Sequence, residues 1–437
     1  MNEQPHKDRM PQLALSARRH ETAPHPEAKQ ALSDARAPTA PRIRSSCRTS
    51  VPSVESRWAV LRQHTDATDA DQRALMDPRT IETMSTYARN IEIFIGTVAV
   101  PVGICGPLRV NGKYAQGDYF LPLATTEAAL VASYARGASL LTRSGGCRTT
   151  LLDERIGRAP AFVFDNIREV EAFVAWVKGQ HNALGRVARS TTRYGRLVKI
   201  ASVVNGNHVI LLLEYKTGDA AGQNMITIAT EAICDFICEQ SPITPKTVLI
   251  ECNYSGDKKA SARSLIGGRG RRVTAEAVIA RDLVRQFLKA TPTQIAAFWR
   301  DAVLGSIMSG SVGLQGQFAN GLAALFLATG QDVACVAESA LGITRLEETE
   351  RGDLYAAVTL PSLAVGTVGG GTGLRTQAAC LRIANSFGPG NARAFAELCG
   401  ALCLAGELSL TAAIAADQFA RAHRRRARGQ RETPASR

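Results

Sequence analysis

The chain lacks an unbroken apolar run of 18 or more residues without charge; the stretch Gly305–Leu341 is interrupted by Gly, Gln and Asn. A membrane-spanning helix needs about 20 apolar residues, so none is expected, and the first thirty residues lack the apolar core of a secretory signal. A soluble, cytoplasmic protein is the expectation, with no membrane partner. Zinc-finger, helix-turn-helix and aromatic-basic strand patterns are also missing, which argues against nucleic-acid binding despite a net charge of +13. Residues 1–50 carry nine Lys/Arg against five Asp/Glu and residues 418–437 seven against one, so ten of the thirteen charges lie in the two tails. The ten cysteines are scattered. Cys234 with Cys238, and Cys399 with Cys403, have no further His or Cys at metal-ligand spacing, so they read as buried thiols in a reducing compartment, with no metal site. G-x-G-x-x-G is absent, which removes the Rossmann fingerprint.

What is present is organised around Gly305–Leu341. It carries almost no charge until Asp332, and from Asn320 onward its apolar residues surround the helix rather than stripe it, the pattern of a helix buried on all sides. Asp332 then stands at the end of a dry wall. A buried carboxylate there would cost several kcal/mol, on the order of the desolvation penalty for an ion, unless a cation compensates it.

Residues 1–53 are rich in Pro, Ala, Arg and Ser without apolar period and read as a disordered basic tail. Trp58–Tyr87 reads as short helical turns, with Asp77-Pro78 as a start signal. Strand text follows, with Asn111-Gly112 as a hairpin turn, and after Pro122 a helix that Thr125 or Thr126 can cap, placing Glu127 in its first turn. Residues 161–245 alternate strand and helix as a small inserted plait. Within it, Thr217–Met225 sets glycines before a helix N-terminus, where backbone N–H groups can face an anion. Beyond it stand Asn253–Lys259 with its paired lysines, Gly267-Gly268-Arg269-Gly270, a Gly366–Gly373 loop where something approaches the backbone closely, and an apolar helix from Glu407 running toward His423 and an arginine run.

Eight segments, IGTVAVPVGICGPL, LATTEAALVAS, GDAAGQNM, NYSGDKK, GRGRRVTAEAVI, ATGQD, LPSLAVGTVGGGTGL and AGELSLTAAIAA, occur in the order and wording of hydroxymethylglutaryl-coenzyme A reductase. The chain resembles that family, in its biosynthetic NADPH-using class, from about Ala88 to His423. The resemblance implies an α+β fold: a large helical domain around a buried central helix (54–160 and 246–420) with a small ferredoxin-like NADP-binding domain inserted (161–245) and a flexible basic C-terminal flap (421–437). It implies a homodimer with active sites between subunits, and NADPH-dependent reduction of hydroxymethylglutaryl-coenzyme A to mevalonate and free coenzyme A, on the route to isoprenoids. Its catalytic positions fall on Glu127, Lys258, Asp332 and His423, and Lys258 would then be the missing cation. Burial and Asp332 would raise the pKa of Glu127 and make it a proton donor, while His423 would protonate the departing thiolate. By the same resemblance Thr192, Arg193, Asp219, Gly222, Asn224 and Met225 bind the cofactor, and Arg158, Asn253, Asp257, Lys259 and Asn320 the acyl-coenzyme A.

Several positions depart from the family pattern. Glu251 stands for a serine that contacts the substrate carboxylate, Asp301 for a lysine beside Arg300, and Gln317 for a histidine. Ala128 replaces a glycine, and Ala364 and Gly267 replace glutamates. Two readings stay open: a working reductase, of this or another acyl-coenzyme A, and a catalytically impaired relative keeping the fold for ligand binding or an effector role.

Overall fold

The computed structural model describes residues 41–43 and 45–417, which divide into a unit ending at Thr97 and another beginning at Val98. The first unit is helical. Helices Val51–His64, Asp69–Leu75 and Pro78–Thr83 enclose Val54, Trp58, Met76, Met84 and Phe94. The Asp77-Pro78 start signal works as expected: the Asp77 carboxylate accepts from Thr80 N at 2.7 Å and Pro78 takes the first turn. Residues 46–53, expected in the disordered tail, are tied down. The buried Arg57 guanidinium donates to the carbonyls of Ser46, Arg48 and Phe94, and satisfying it orders a segment that composition alone would leave loose.

The second unit holds ten strands among the described residues: β1 (Val102–Gly112), β2 (Gln116–Ala124), β3 (Cys147–Arg158), β4 (Ala161–Val163), β5 (Arg196–Asn205), β6 (His208–Lys216), β7 (Thr247–Leu249), β8 (Gly270–Ile279), β9 (Ile343–Glu348) and β10 (Leu354–Leu363). β3 joins two halves: its first part pairs with β8, and its last three residues pair with β6. Beyond them β7, β4, β6 and β5 form an antiparallel sheet in that order. With helices Ile167–Gly179, His181–Thr191 and Gln223–Gln240 this is the expected ferredoxin-like plait, running on through β7 to Leu249 rather than ending at 245, with its own core around Phe162, Phe173, Ile226 and Ile233.

The helix at the centre of the larger half is Ala392–Ala415, not the one at Asn320. Every residue from Phe395 to Ser409 is buried, whereas Phe318–Thr329 leaves Asn320 and Leu327 exposed. The Ala392–Ala415 helix is long and apolar enough to cross a membrane, but it lies inside the fold. Its two glutamates disguise it in the sequence, because both are buried and satisfied by backbone. Glu397 accepts from the N–H groups of Lys113, Tyr114 and Ala115, and Glu407 from those of Gly316 and Gln317 and from Thr344 Oγ1. Burial pushes the Glu407 carboxyl up against those donors.

Glu397 also moves the hairpin turn. Asn111 still pairs with Gln116 in the ladder, and Lys113-Tyr114 make the bend, closed by Gly112 N to Ala115 O at 2.7 Å. The turn follows the carboxylate that collects its N–H groups rather than the Asn-Gly preference. The helix after Pro122 starts late as well, at Leu130, because Thr125 N still donates to Pro101 O and Ala129 is left-handed at φ +73°.

Helix Leu130–Arg143 lies backbone to backbone on the central helix at Gly137, where a Cβ would overlap the Ala405 carbonyl. Gly137→Ala is expected to cost about 3 kcal/mol, the upper range for overpacking against an unyielding neighbour. Urea denaturation checks it; an unchanged midpoint would show that the two helices can separate freely.

Candidate active site

The loop Asn253–Lys259 leaves β7 and presents Lys258. Three of its residues, Asn253, Gly256 and Lys258, hold left-handed backbone at φ +67°, +78° and +55°. Such conformations cost non-glycine residues about 1–2 kcal/mol each and persist only where surroundings enforce them. Here the enforcement comes from Asp257. One oxygen lies 2.8 Å from Arg158 at the end of β3, and the other 2.9 Å from Arg269. Arg269 is 1% exposed and continues to Glu338, 0% exposed, at 2.9 Å. Burial alone would raise the Asp257 pKa, but the two arginines and Lys258 together hold it below the usual carboxylate range.

Lys258 Nζ lies 2.9 Å from Asp332 Oδ2. That hydrogen bond raises the lysine above its ordinary value against a smaller opposing effect of burial. The expected cation is therefore beside Asp332. The dry setting is not, since the side chains are 45% and 40% exposed. Helix Phe318–Thr329 ends at Gly330, φ +71°, Gln331 turns inward, and Asp332 falls outside to accept from Ala334 N at 3.1 Å. Behind the pair, burial pushes the Cys335 thiol up to about 12.

Glu127 is exposed rather than buried. It follows β2 in an irregular link, donates its N–H to Thr125 Oγ1 at 3.0 Å, and lines a surface depression of about 440 Å³ with Thr126, Ala128 and Val131. Among the described residues no ion pair joins it to Lys258. His423 lies outside the described residues. Arg158 also donates to Thr227 Oγ1 at 3.0 Å and lies 3.5 Å from Glu251, whose carboxylate accepts from Ala159 N. Lys259 Nζ donates to the Asp257 carbonyl at 3.0 Å. Asn253 and Asn320 are exposed, the latter on the first turn of its helix, while Asp301 and Arg300 are exposed on helix Pro292–Met308. Gln317 is used internally, its amide donating to the Gly406 carbonyl.

The two segments read as a cofactor site meet. Thr192 Oγ1 accepts from Tyr194 N and Gly195 N, and a Cβ on Gly195 would touch Met225 Sδ. Arg193 and Asn224 are exposed beside them. Gly222, φ +83°, precedes Gln223–Gln240, whose first turn carries no acid and no side-chain cap. Asp219 faces elsewhere. Its carboxylate accepts from Gly390 N at 2.9 Å and Ala392 N at 3.2 Å, at the positive end of the central helix. The close approach expected at Gly366–Gly373 is made by the chain itself, Ala220-Ala221 against Gly366 and Gly330 against Gly371.

Sequence reasoning passed over Arg269, Glu338 and Gln223. The Gly-Arg-Gly wording held the signal for the first: a Cβ on Gly268 or Gly270 would strike the Pro361 or Leu363 carbonyl, so the strand closes on β10 and its arginine turns inward.

Comparison with known proteins gives one family. Residues 53–428 match the family model described as hydroxymethylglutaryl-coenzyme A reductase. The chain is 46% identical over 352 residues to the 3-hydroxy-3-methylglutaryl-coenzyme A reductase of Pyrococcus abyssi, covering 79% of this chain and 86% of that protein. It is 42% identical over 348 residues to that of Methanocaldococcus jannaschii, covering 78% and 86%. Its fold is similar to that of the class II reductase of Streptococcus pneumoniae solved with NADPH, with a TM-score of 0.62 at 19% identity, covering 82% of this chain and 96% of that one.

Proposed function

Since the chain belongs to the hydroxymethylglutaryl-coenzyme A reductase family, we propose that the Lys258–Asp332 pair is the centre at which it reduces hydroxymethylglutaryl-coenzyme A to mevalonate. The observation carrying this is the ammonium held 2.9 Å from Asp332 on left-handed backbone. The net reaction consumes two NADPH and two protons and yields mevalonate, free coenzyme A and two NADP+. Bound NADPH supplies a hydride for each of the two reductions. The residues present fit it: an anion finds the uncapped N-terminus of Gln223–Gln240 and the exposed Arg193, with Thr192, Gly222, Asn224 and Met225 around them. Residues 161–245 would be the dinucleotide domain, and Asp219 would act there through the loop it anchors.

Each carbonyl addition leaves charge on oxygen, and Lys258 would stabilise it. Collapse of the first adduct breaks the C–S bond and expels coenzyme A as thiolate, which His423 would protonate. The second addition leaves an alkoxide that takes its proton from Glu127. Because Glu127 is exposed and unpaired with Lys258 in its own chain, its partner lysine would come from a second copy in a homodimer with shared sites. Arg158, Asn253, Asp257, Lys259 and Asn320 would bind the acyl-coenzyme A in the cytoplasm, where NADPH is available.

A second reading, reduction of a different acyl-coenzyme A, draws on one observation: Arg158 already faces Asp257 and Glu251, leaving less charge for a substrate carboxylate. Following NADPH absorbance with hydroxymethylglutaryl-coenzyme A and a panel of acyl-coenzyme A thioesters separates the readings. Oxidation with none of them would end both.

The pH profile offers a further check. A raised lysine pKa keeps the ammonium charged to higher pH, so the amine is protected from acylation below it and reacts as pH rises through it. The midpoint of Lys258 acetylation against pH is expected above the ordinary lysine value, and Asp332→Asn is expected to bring it down. A midpoint unmoved by that change would mean another group sets it.

A further inference from the structure

The carboxamide of Gln223 closes a ring around the lysine that the reaction itself does not require. Its Oε1 accepts from Arg269 at 2.7 Å, and its Nε2 donates to Cys335 Sγ at 3.4 Å. A guanidinium only donates, so the oxygen must face Arg269 and the nitrogen the sulfur. One arm runs from Arg269 to Asp257, the residue before Lys258. The other runs from Cys335, whose N–H donates to the Asp332 carbonyl at 3.0 Å, to the carboxylate that holds Lys258 Nζ. One turn along the same helix, Thr227 Oγ1 receives Arg158, the second arginine on Asp257. Both guanidinium groups that fork Asp257 are thus steadied by the first two turns of Gln223–Gln240. That helix begins directly after the Thr217–Gly222 loop, with left-handed Gly222 as the joint.

We propose that Gln223 is a positioning residue that transmits occupancy of the dinucleotide loop to Lys258. This rests on the reading of that loop and of Lys258 given above. A dinucleotide phosphate drawn to the helix N-terminus shifts the first turn. Gln223 carries the shift into Arg269 and Cys335, and the two arms move Asp257 and Asp332 together, so the ammonium is aimed when the hydride donor is in place. Gln223 touches no reacting atom.

Gln223→Met keeps the length of the side chain and removes both hydrogen bonds. The expected result is a kcat about tenfold lower with KM for NADPH within twofold of the wild type, whereas Asn224→Ala raises KM for NADPH. Gln223→Glu, which restores the acceptor for Arg269, recovers kcat to within about threefold. Gln223→Asn withdraws the amide by one methylene and reproduces the Met result, so the test survives the failure of either variant to fold. The decisive readout is pulse acetylation of Lys258, quantified on its peptide with and without saturating NADPH. The rate changes at least threefold in the wild type, and less than 1.5-fold in the Met and Asn variants although they still bind NADPH by fluorescence. A response that survives in those variants, or is missing from an active wild type, overturns the proposal. A wild type that binds no NADPH and oxidises none fails at the level of the proposed function instead.

Discussion

Lys258→Ala is expected to lower kcat by about 10² to 10³, the loss measured when one oxyanion donor is removed from other enzymes, or about 3 to 4 kcal/mol. The thermal midpoint should hardly move. The pair with Asp332 is close to half exposed on both sides, and pairs of that kind contribute about 0 to 1 kcal/mol after solvent screening. Alanine in left-handed backbone costs about what lysine does, so the loop has no new reason to collapse. The prediction is therefore a dissociation of activity from stability, read by NADPH oxidation beside a melting curve. Turnover within a few-fold of the wild type would remove Lys258 from the centre. A fall in melting temperature matching the loss of activity would make it a structural residue.

Arg269→Met is expected to act on stability as well, costing about 3 to 5 kcal/mol, the range for removing one partner of a buried pair. Arg269 and Glu338 are 1% and 0% exposed, so the glutamate would be left as an uncompensated charge in the interior. Glu338 already sits above its ordinary value, because burial outweighs the favourable effect of Arg269, and the substitution would raise it further. A carboxyl whose folded pKa is raised contributes stability at low pH that is lost as pH rises through that value. The deficit of the variant should therefore grow from acid toward neutral pH, and Glu338→Gln in the same chain should recover much of it by removing the charge. Urea midpoints at two pH values measure this. A pH-independent deficit, or no recovery in the double variant, would mean that lost packing rather than the stranded carboxylate is responsible.

The contrast between the two substitutions follows the line between what could and could not be read before folding. Lys258 and Asp332 were legible because their segments, NYSGDKK and ATGQD, carry family wording, and the need of an acid for a cation suggested that they meet. The setting was not legible. Asp332 was expected in a dry wall, yet the turn at Gly330 places it outside. Glu127 was expected in a helix turn against the lysine, and left-handed Ala129 leaves it in an exposed link instead. Neither turn has a composition that announces its direction.

By itself the sequence determined the types of element and their order: the plait from its alternating periods and the cap at Asp77-Pro78. These are local properties, set by neighbours three or four positions apart. Only the tertiary structure decided which helix is central, because Glu397 and Glu407 read as polar until the N–H groups of Lys113–Ala115 and Gly316-Gln317, remote in the chain, close on them. It also decided that Gln223, Arg269, Asp257 and Lys258 form one connected set. Whether a buried charge is tolerable depends on partners brought from far along the chain, and periodicity carries no information about them.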